Sequence, residues 1–143
     1  MQNTGLFRRL AAILYDALLV FAFLVMLAII ATTYLGGQSV YAGGPQFVMG
    51  YNGARFLIIY LFLVLYWTKR GRTLGMQSWG LQMESIRGGA VTLSQANLRF
   101  FAALLSWAPA GLGFLWQLWD KDKLTWHDRI SGTRIVYYPK EKK

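Results

Sequence analysis

The fold is decided by residues 10–33, LAAILYDALLVFAFLVMLAIIATT, an apolar run that a single charged residue, Asp16, interrupts. The run is longer than the roughly 20 residues that a helix needs to cross a hydrocarbon core of about 30 Å. Two basic residues, Arg8 and Arg9, come directly before it. We therefore predict a transmembrane helix that starts beside a basic, cytoplasmic flank.

The composition agrees with a membrane protein and excludes several other classes. Of the 143 residues, 55% are hydrophobic and 15% are charged, whereas an average soluble domain has about 25% charged residues. This hydrophobic content excludes intrinsic disorder. The long uncharged runs argue against a nucleic-acid-binding protein, despite the net charge of +9. The absence of cysteine excludes disulfides and thiolate chemistry. The length predicts one domain over residues 1–143.

A second span is predicted to end at Thr68. Its uncharged part, residues 56–67, is too short to cross alone, so the span must start near Phe47 and include Arg55. Residues 34–53 are uncharged and rich in glycine, which predicts a loop. A basic cluster follows the span, at Lys69, Arg70 and Arg72. Because positive charge concentrates in cytoplasmic segments, the loop is predicted outside and both flanks inside, at the plasma (inner) membrane.

A third apolar run, residues 100–119, admits two interpretations. It is long enough to cross once, but Pro109, Gly111 and Gly113 interrupt it, and proline and glycine favour a break and a turn. A single crossing would also place the basic tail outside, against the positive-inside bias. The alternative is a re-entrant hairpin, with a helix over residues 93–107, a turn at 109–113 and a return through 114–119. Its helix would begin with a capping box of Thr92 and Gln95.

Two predicted strands favour the hairpin. Residues 81–86 alternate apolar and polar side chains, and residues 133–138 form a second strand candidate. If the two pair, they must lie on one side of the membrane, which places the N-terminus and the tail together in the cytoplasm. Re-entrant backbone must be covered by protein or by a wet cavity. The hairpin therefore predicts a homo-oligomer or a membrane-protein partner.

The predicted fold class is an all-α membrane protein. It has two transmembrane helices, a Pro/Gly-broken third apolar helix that either re-enters or spans, and a small cytoplasmic β-strand pair. The lipid bilayer is the expected environment, and no nucleic-acid partner is expected.

Asp16 is the first candidate for function, because a charged side chain in an apolar helix costs about 2.5–3.5 kcal/mol near the bilayer centre. Arg9 precedes it by seven residues and shares its helix face within about 20°, although two turns are too far for direct contact. Arg55 is a second candidate partner. The alternatives are a buried ion pair that fixes helix packing, for Asp16, and snorkelling to the outer surface, for Arg55.

The segment Trp126-His127-Asp128-Arg129 is the second candidate. His127 is the only histidine, and its ordinary pKa near 6.5 suits proton transfer. A lone histidine does not predict a metal site. Asp128 could instead cap a short helix over residues 129–131. No catalytic motif is present, so we expect neither an enzyme nor a cofactor.

Four segments resemble blocks of the RDD family, in family order and over nearly the whole chain. They are Arg9-Leu-Ala-Ala-Ile-Leu-Tyr-Asp16, Gly71-Arg-Thr-Leu-Gly75 with Gly80-Leu81, Leu93-Ser-Gln-Ala-Asn-Leu-Arg99, and Trp126-His-Asp-Arg-Ile-Ser-Gly-Thr133. The resemblance implies a functional constellation of Arg9, Asp16 and Asp128. Secondary candidates are Arg55, His127, Arg129 and Arg99. At Met76 the chain departs from the lysine common in the family.

The resemblance implies a membrane protein and leaves its mechanism open. Transport has been suggested for the family, some members have been linked to sodium/proton antiport, and a eukaryotic member resembles an assembly factor. We expect ion- or proton-coupled transport through the Arg9, Asp16 and Asp128 constellation. The alternatives are a non-catalytic scaffold or assembly factor, and an anionic-lipid-binding protein with a basic groove formed by Arg9, Lys69, Arg70, Arg72 and Arg99.

Overall fold

The computed structural model describes residues 2–138, with side chains from Thr4 onward. The basic tail residues Lys140, Lys142 and Lys143 lie outside the described residues. The chain forms two compact units, one of Met1–Asp16 with Leu63–Lys143 and the other of Ala17–Phe62.

Two helices are long and apolar enough to cross a membrane, as the sequence predicted: α1 (Leu6–Tyr34) and α2 (Pro45–Arg70). The predicted loop over residues 34–53 is wrong in its second half, because α2 begins at Pro45. Proline suits the first turn of a helix, where its missing N–H has no partner to lose. A short 3₁₀ helix, Val40–Gly43, precedes it.

The unit formed by residues 1–16 and 63–143 contains a small antiparallel sheet. The chain order is β1 (Gln2–Asn3), then α3 (Leu74–Ser78) and β2 (Leu81–Ser85) after the second long helix, and β3 (Thr133–Tyr137) near the end. The predicted pair is confirmed, since β2 and β3 pair from Leu81–Tyr137 to Ser85–Thr133. The strand β1 pairs with the other edge of β3. It was missed because two residues carry no readable alternation.

The third apolar run is bent. Helix α4 (Leu93–Trp107) has the predicted bounds and the predicted Thr92–Gln95 capping box. A turn containing Gly111, whose φ is 80°, leads into α5 (Leu112–Leu115) and a 3₁₀ turn to Leu118. The two limbs make an angle of 108°, because the proline and glycines end the helix and allow the left-handed turn.

The core of this unit lies where α4 packs against α6 (Trp126–Ser131) and where the sheet closes beside them. Ala96, Phe100 and Phe114 are buried there, as are Leu81 and Met83 of β2. The same core buries an unusual number of polar side chains. They include Arg9, Arg99, His127 and Asp128, and these residues form the candidate site.

Candidate functional site

Asp128 lies at the centre of a buried ion-pair network. Its carboxylate is fully buried, and one oxygen accepts a hydrogen bond from Arg9 Nη1 at 2.8 Å. The other oxygen accepts from Arg99 Nη1. We call Arg9, Arg99 and Asp128 the Arg–Asp–Arg cluster. It joins the start of α1, the middle of α4 and the first turn of α6.

The local sequence explains why Asp128 is held in this position. Thr125 is the N-cap of α6 and Asp128 is the third helical residue, and the two form a capping box. The carboxylate accepts from the Thr125 backbone N–H at 3.1 Å. The prediction that Asp128 itself caps a helix over residues 129–131 is wrong, because the helix begins three residues earlier. Asp128 still satisfies an end of this helix while it binds both arginines.

Threonine hydroxyls complete the cluster. Arg9 Nε donates to Thr4 Oγ1 at 3.0 Å, and that hydroxyl donates to the Ile135 carbonyl at 3.1 Å. Arg99 Nη1 also donates to Thr133 Oγ1 at 2.9 Å. The cluster therefore connects the residues before α1 to strand β3. Separating the partners of this network would leave a buried charge without a counter-charge, which is strongly destabilising. The three charged side chains are therefore held in one arrangement.

The electrostatics keep Asp128 ionised. Burial opposes ionisation, but the neighbouring guanidinium groups of Arg99 and Arg9 outweigh it and hold the pKa of Asp128 well below its ordinary range. Two arginines share one carboxylate, so the cluster carries a net positive charge. This net positive charge disfavours protonation of the cluster and attracts anions.

His127 is neutral in this setting. Burial, with a further contribution from the charge of Arg99, lowers the pKa of His127 to about 3. Its Nδ1 lies 3.3 Å from Ser106 Oγ, and its ring stacks on Phe114 with centroids 6.0 Å apart. The predicted proton transfer rested on an ordinary pKa near neutrality, which this burial removes. The contacts of His127 are those of a packed core side chain.

Asp16 belongs to a different arrangement. Its carboxylate accepts hydrogen bonds from the Thr73 hydroxyl and, at 2.8 Å, from the Gly75 backbone N–H. Thr73 is also the N-cap of α3. Among the described residues, Asp16 forms no ion pair with Arg9 or Arg55. The predicted constellation of Arg9, Asp16 and Asp128 is thus corrected to two sites, each of which ties the first turns of α1 to a different segment.

Gly75 is required by the close approach of α1 and α3. A Cβ atom at this position would lie 2.2 Å from the Ala12 carbonyl oxygen and 2.9 Å from Asp16 Cγ. Only glycine lets the backbone N–H reach the Asp16 carboxylate. The sequence marked the segment Gly71–Gly75 as a family block, but the partnership of Thr73 and Gly75 with Asp16 was missed. Met76, where the family commonly has lysine, is buried in α3.

The remaining candidates lie apart from these contacts. Arg55 is exposed on α2, donates to Asn52 Oδ1 at 3.4 Å and lies over the Tyr51 ring. Arg129 is 47% exposed and pairs with Asp120 and, at 3.5 Å, with Asp122. In the described part of the chain no group of three or more His, Asp or Glu side chains could hold a metal ion.

These features define a membrane-associated class of protein, with two candidate spans and a polar cluster built from an N-terminal arginine and a late aspartate. The RDD family model matches residues 4–132, so the chain belongs to the RDD family. No curated protein and no solved structure matches the chain.

Proposed function

We propose that this protein is a non-catalytic membrane scaffold. In this proposal α1 and α2 cross the plasma (inner) membrane, and the sheet, the α4–α5 hairpin and both chain ends lie on the cytoplasmic side. The buried charges hold this cytoplasmic part together, and the apolar surface of the hairpin contacts the bilayer and a second copy of the chain.

The observation that carries this proposal is that both aspartates of the predicted constellation are buried and already bonded. Asp128 accepts from Arg9, Arg99 and the Thr125 backbone, and Asp16 accepts from Thr73 and Gly75. A carboxylate that binds a transported cation must be reachable and must exchange its partners. These carboxylates instead join segments distant in sequence.

The sheet supports the proposed topology. Strand β1 precedes the first span, β2 follows the second, and β3 follows the hairpin, yet all three belong to one sheet. Residues between β2 and β3 must therefore cross a membrane an even number of times. With a 108° bend between its limbs, the hairpin is better suited to re-entry than to a single crossing.

The hairpin supports the proposed assembly. Ala96, Phe100 and Ser106 of α4 are buried, whereas Phe101 and Leu105 are 57% and 62% exposed. The turn that joins the limbs must be covered at membrane depth, because unpaired backbone groups are costly in lipid.

We test the assembly with Leu105→Cys in nanodiscs and in native membranes. We expect a disulfide-linked dimer, and Arg87→Cys, exposed beyond β2, serves as the control that does not cross-link. Strictly monomeric protein in both settings would remove the scaffold proposal.

Ion-coupled transport is the second candidate. The observation in its favour is Asp16, an acid inside a helix otherwise apolar enough to span. Cation/proton exchange is measured in proteoliposomes with the wild-type protein and with Asp16→Asn. The scaffold proposal expects no exchange from either. Exchange by the wild type that Asp16→Asn abolishes would establish transport instead.

A further inference from the structure

A cavity of about 600 Å³ opens beside the Arg–Asp–Arg cluster. Its charged lining comprises Arg9, Lys121, Lys123, Arg129, Arg134 and one acid, Asp122, and aliphatic side chains complete the wall. We call it the Arg9 cavity. It differs from the groove that the sequence suggested, because Lys69, Arg70 and Arg72 do not line it.

The charges around this cavity do not balance. Arg9 shares Asp128 with Arg99, Arg129 pairs with Asp120 and Asp122, and Arg134 pairs with Glu84 at 3.6 Å. Lys121 and Lys123 form no ion pair with any residue that the structure describes. Six cations therefore face four carboxylates, and two positive charges remain at the cavity wall.

One donor at the cavity wall belongs to a buried side chain. The Arg9 side chain is 3% exposed. Its Nε and Nη1 atoms have good acceptors in Thr4 and Asp128, but Nη2 reaches only the Lys123 carbonyl, at 3.4 Å. That distance is long for a hydrogen bond of a charged donor. An anion in the cavity would provide Nη2 with a stronger acceptor.

We propose that the Arg9 cavity binds a phosphate group, either of an anionic phospholipid or as a free anion. Phosphate matches the surplus charge, and guanidinium and ammonium donors are the side chains that recognise it. The aliphatic part of the wall suits the beginning of a lipid's acyl chains. This site is independent of the scaffold proposal, because it requires neither a second copy nor any particular topology of the hairpin.

The test compares two variants that each lose two positive charges. Lys121→Gln with Lys123→Gln removes charge from the cavity, and Lys69→Gln with Arg70→Gln removes it from the exposed end of α2. Neither pair alters a side chain of the Arg–Asp–Arg cluster, and the Lys123 carbonyl that Arg9 contacts is kept in Lys123→Gln. Unchanged melting temperatures verify that both variants fold. Each protein is placed in phosphatidylcholine nanodiscs and titrated with inorganic phosphate. Phosphatidylglycerol retention is measured by native mass spectrometry after extraction from mixed bilayers.

We expect the wild type to bind one of the two probes and the cavity variant to bind it about tenfold more weakly. The α2 variant should bind like the wild type. Binding of phosphatidylglycerol alone identifies a lipid headgroup as the ligand, and binding of inorganic phosphate identifies a free anion. If the wild type binds neither inorganic phosphate nor phosphatidylglycerol, the proposed site is wrong. It is also wrong if both variants bind the probe equally weakly, because binding then depends only on the general surface charge.

Discussion

Asp128 connects three helices, α1, α4 and α6, in the unit that also contains the sheet. It compensates two arginines that are 3% and 4% exposed, and it also bonds the first turn of α6. Substitution of Asp128 is destabilising mainly because of the charges that would remain in the core. Two guanidinium groups would remain buried without a counter-charge.

We therefore expect Asp128→Asn to lower the free energy of unfolding by about 3–5 kcal/mol, the cost of breaking a buried ion pair from one side. The measurement is denaturant or thermal unfolding in detergent. The matched control is Arg129→Gln, because Arg129 is the next residue and is 47% exposed in a surface pair. Its loss should cost less than about 1 kcal/mol. Equal effects of the two substitutions would contradict a special role for the buried cluster.

His127 predicts a specific pH dependence. Burial lowers the pKa of His127 in the folded state to about 3, whereas the unfolded pKa is about 6.5. Folding is therefore unaffected by this residue above about pH 6.5. As the pH falls toward 3, the unfolded chain takes up a proton that the folded chain does not, and stability decreases by up to about 1.4 kcal/mol per pH unit.

The chain has one histidine, so His127→Gln should flatten the stability profile between about pH 5 and pH 6.5. Unfolding is followed at several pH values for both proteins. A wild-type profile that is already flat in this interval would show that His127 is not buried as neutral imidazole.

At the level of elements, Gly75 shows how a short helix is held against a long one. Helix α3 has only five residues, too few to be stable alone. It is held because its N-terminal residues bond Asp16 of α1 and because Gly75 permits the contact. By helix propensity alone, alanine at position 75 would stabilise the protein by about 1 kcal/mol. Because the added Cβ would clash with α1, we expect the substitution to destabilise it instead.

We expect Gly75→Ala to destabilise the protein by about 1–3 kcal/mol or more, as overpacking does, since its Cβ would meet the Ala12 carbonyl oxygen. Gly53→Ala is the control, because Gly53 is also helical and its Cβ would meet nothing within 4 Å. That variant should be neutral or more stable by up to about 1 kcal/mol. The two variants are compared by thermal unfolding in the same detergent. A Gly75→Ala variant as stable as the wild type would contradict the close approach of α1 and α3.

At the scale of the whole molecule, the three-stranded sheet constrains how the chain can lie across a bilayer. Strands that pair across all five positions cannot be separated by a membrane. The ends of the hairpin must then emerge on the same side, whatever the depth that its turn reaches.

This constraint predicts the outcome of single-cysteine labelling, for which the chain is suited because it has no native cysteine. We expect Arg87→Cys and Tyr138→Cys to be labelled from the cytoplasmic side and Gln38→Cys from the opposite side. Ala108→Cys, at the hairpin turn, should be unreactive from the side that labels Gln38→Cys. Labelling of Tyr138→Cys from the side that labels Gln38→Cys would show that the third run crosses once.

Much of the fold was readable in the sequence. The two long apolar helices, the bounds of α4, its capping box and the β2–β3 pair follow from local signals such as run length, cap spacing and alternation. The start of the second span, predicted near Phe47, lies within two residues of the observed Pro45. The loop predicted over residues 34–53 overlapped this span, because the glycine content of the segment was given more weight than Pro45. Strand β1 and helix α3 are too short to carry a periodic signal.

For the site, the sequence alone determined that Asp16 is an acid within an apolar helix. The resemblance to the family added Arg9 and Asp128, with Arg99 as a secondary candidate. Their partners were decided only by the tertiary structure. Arg9 and Asp16 share a helix face, but each bonds a segment more than fifty residues away. Helical spacing reports neighbours on one element, whereas a buried charge is stabilised by whichever donors the packing brings within hydrogen-bond distance, and those donors came from Thr73, Gly75 and Arg99.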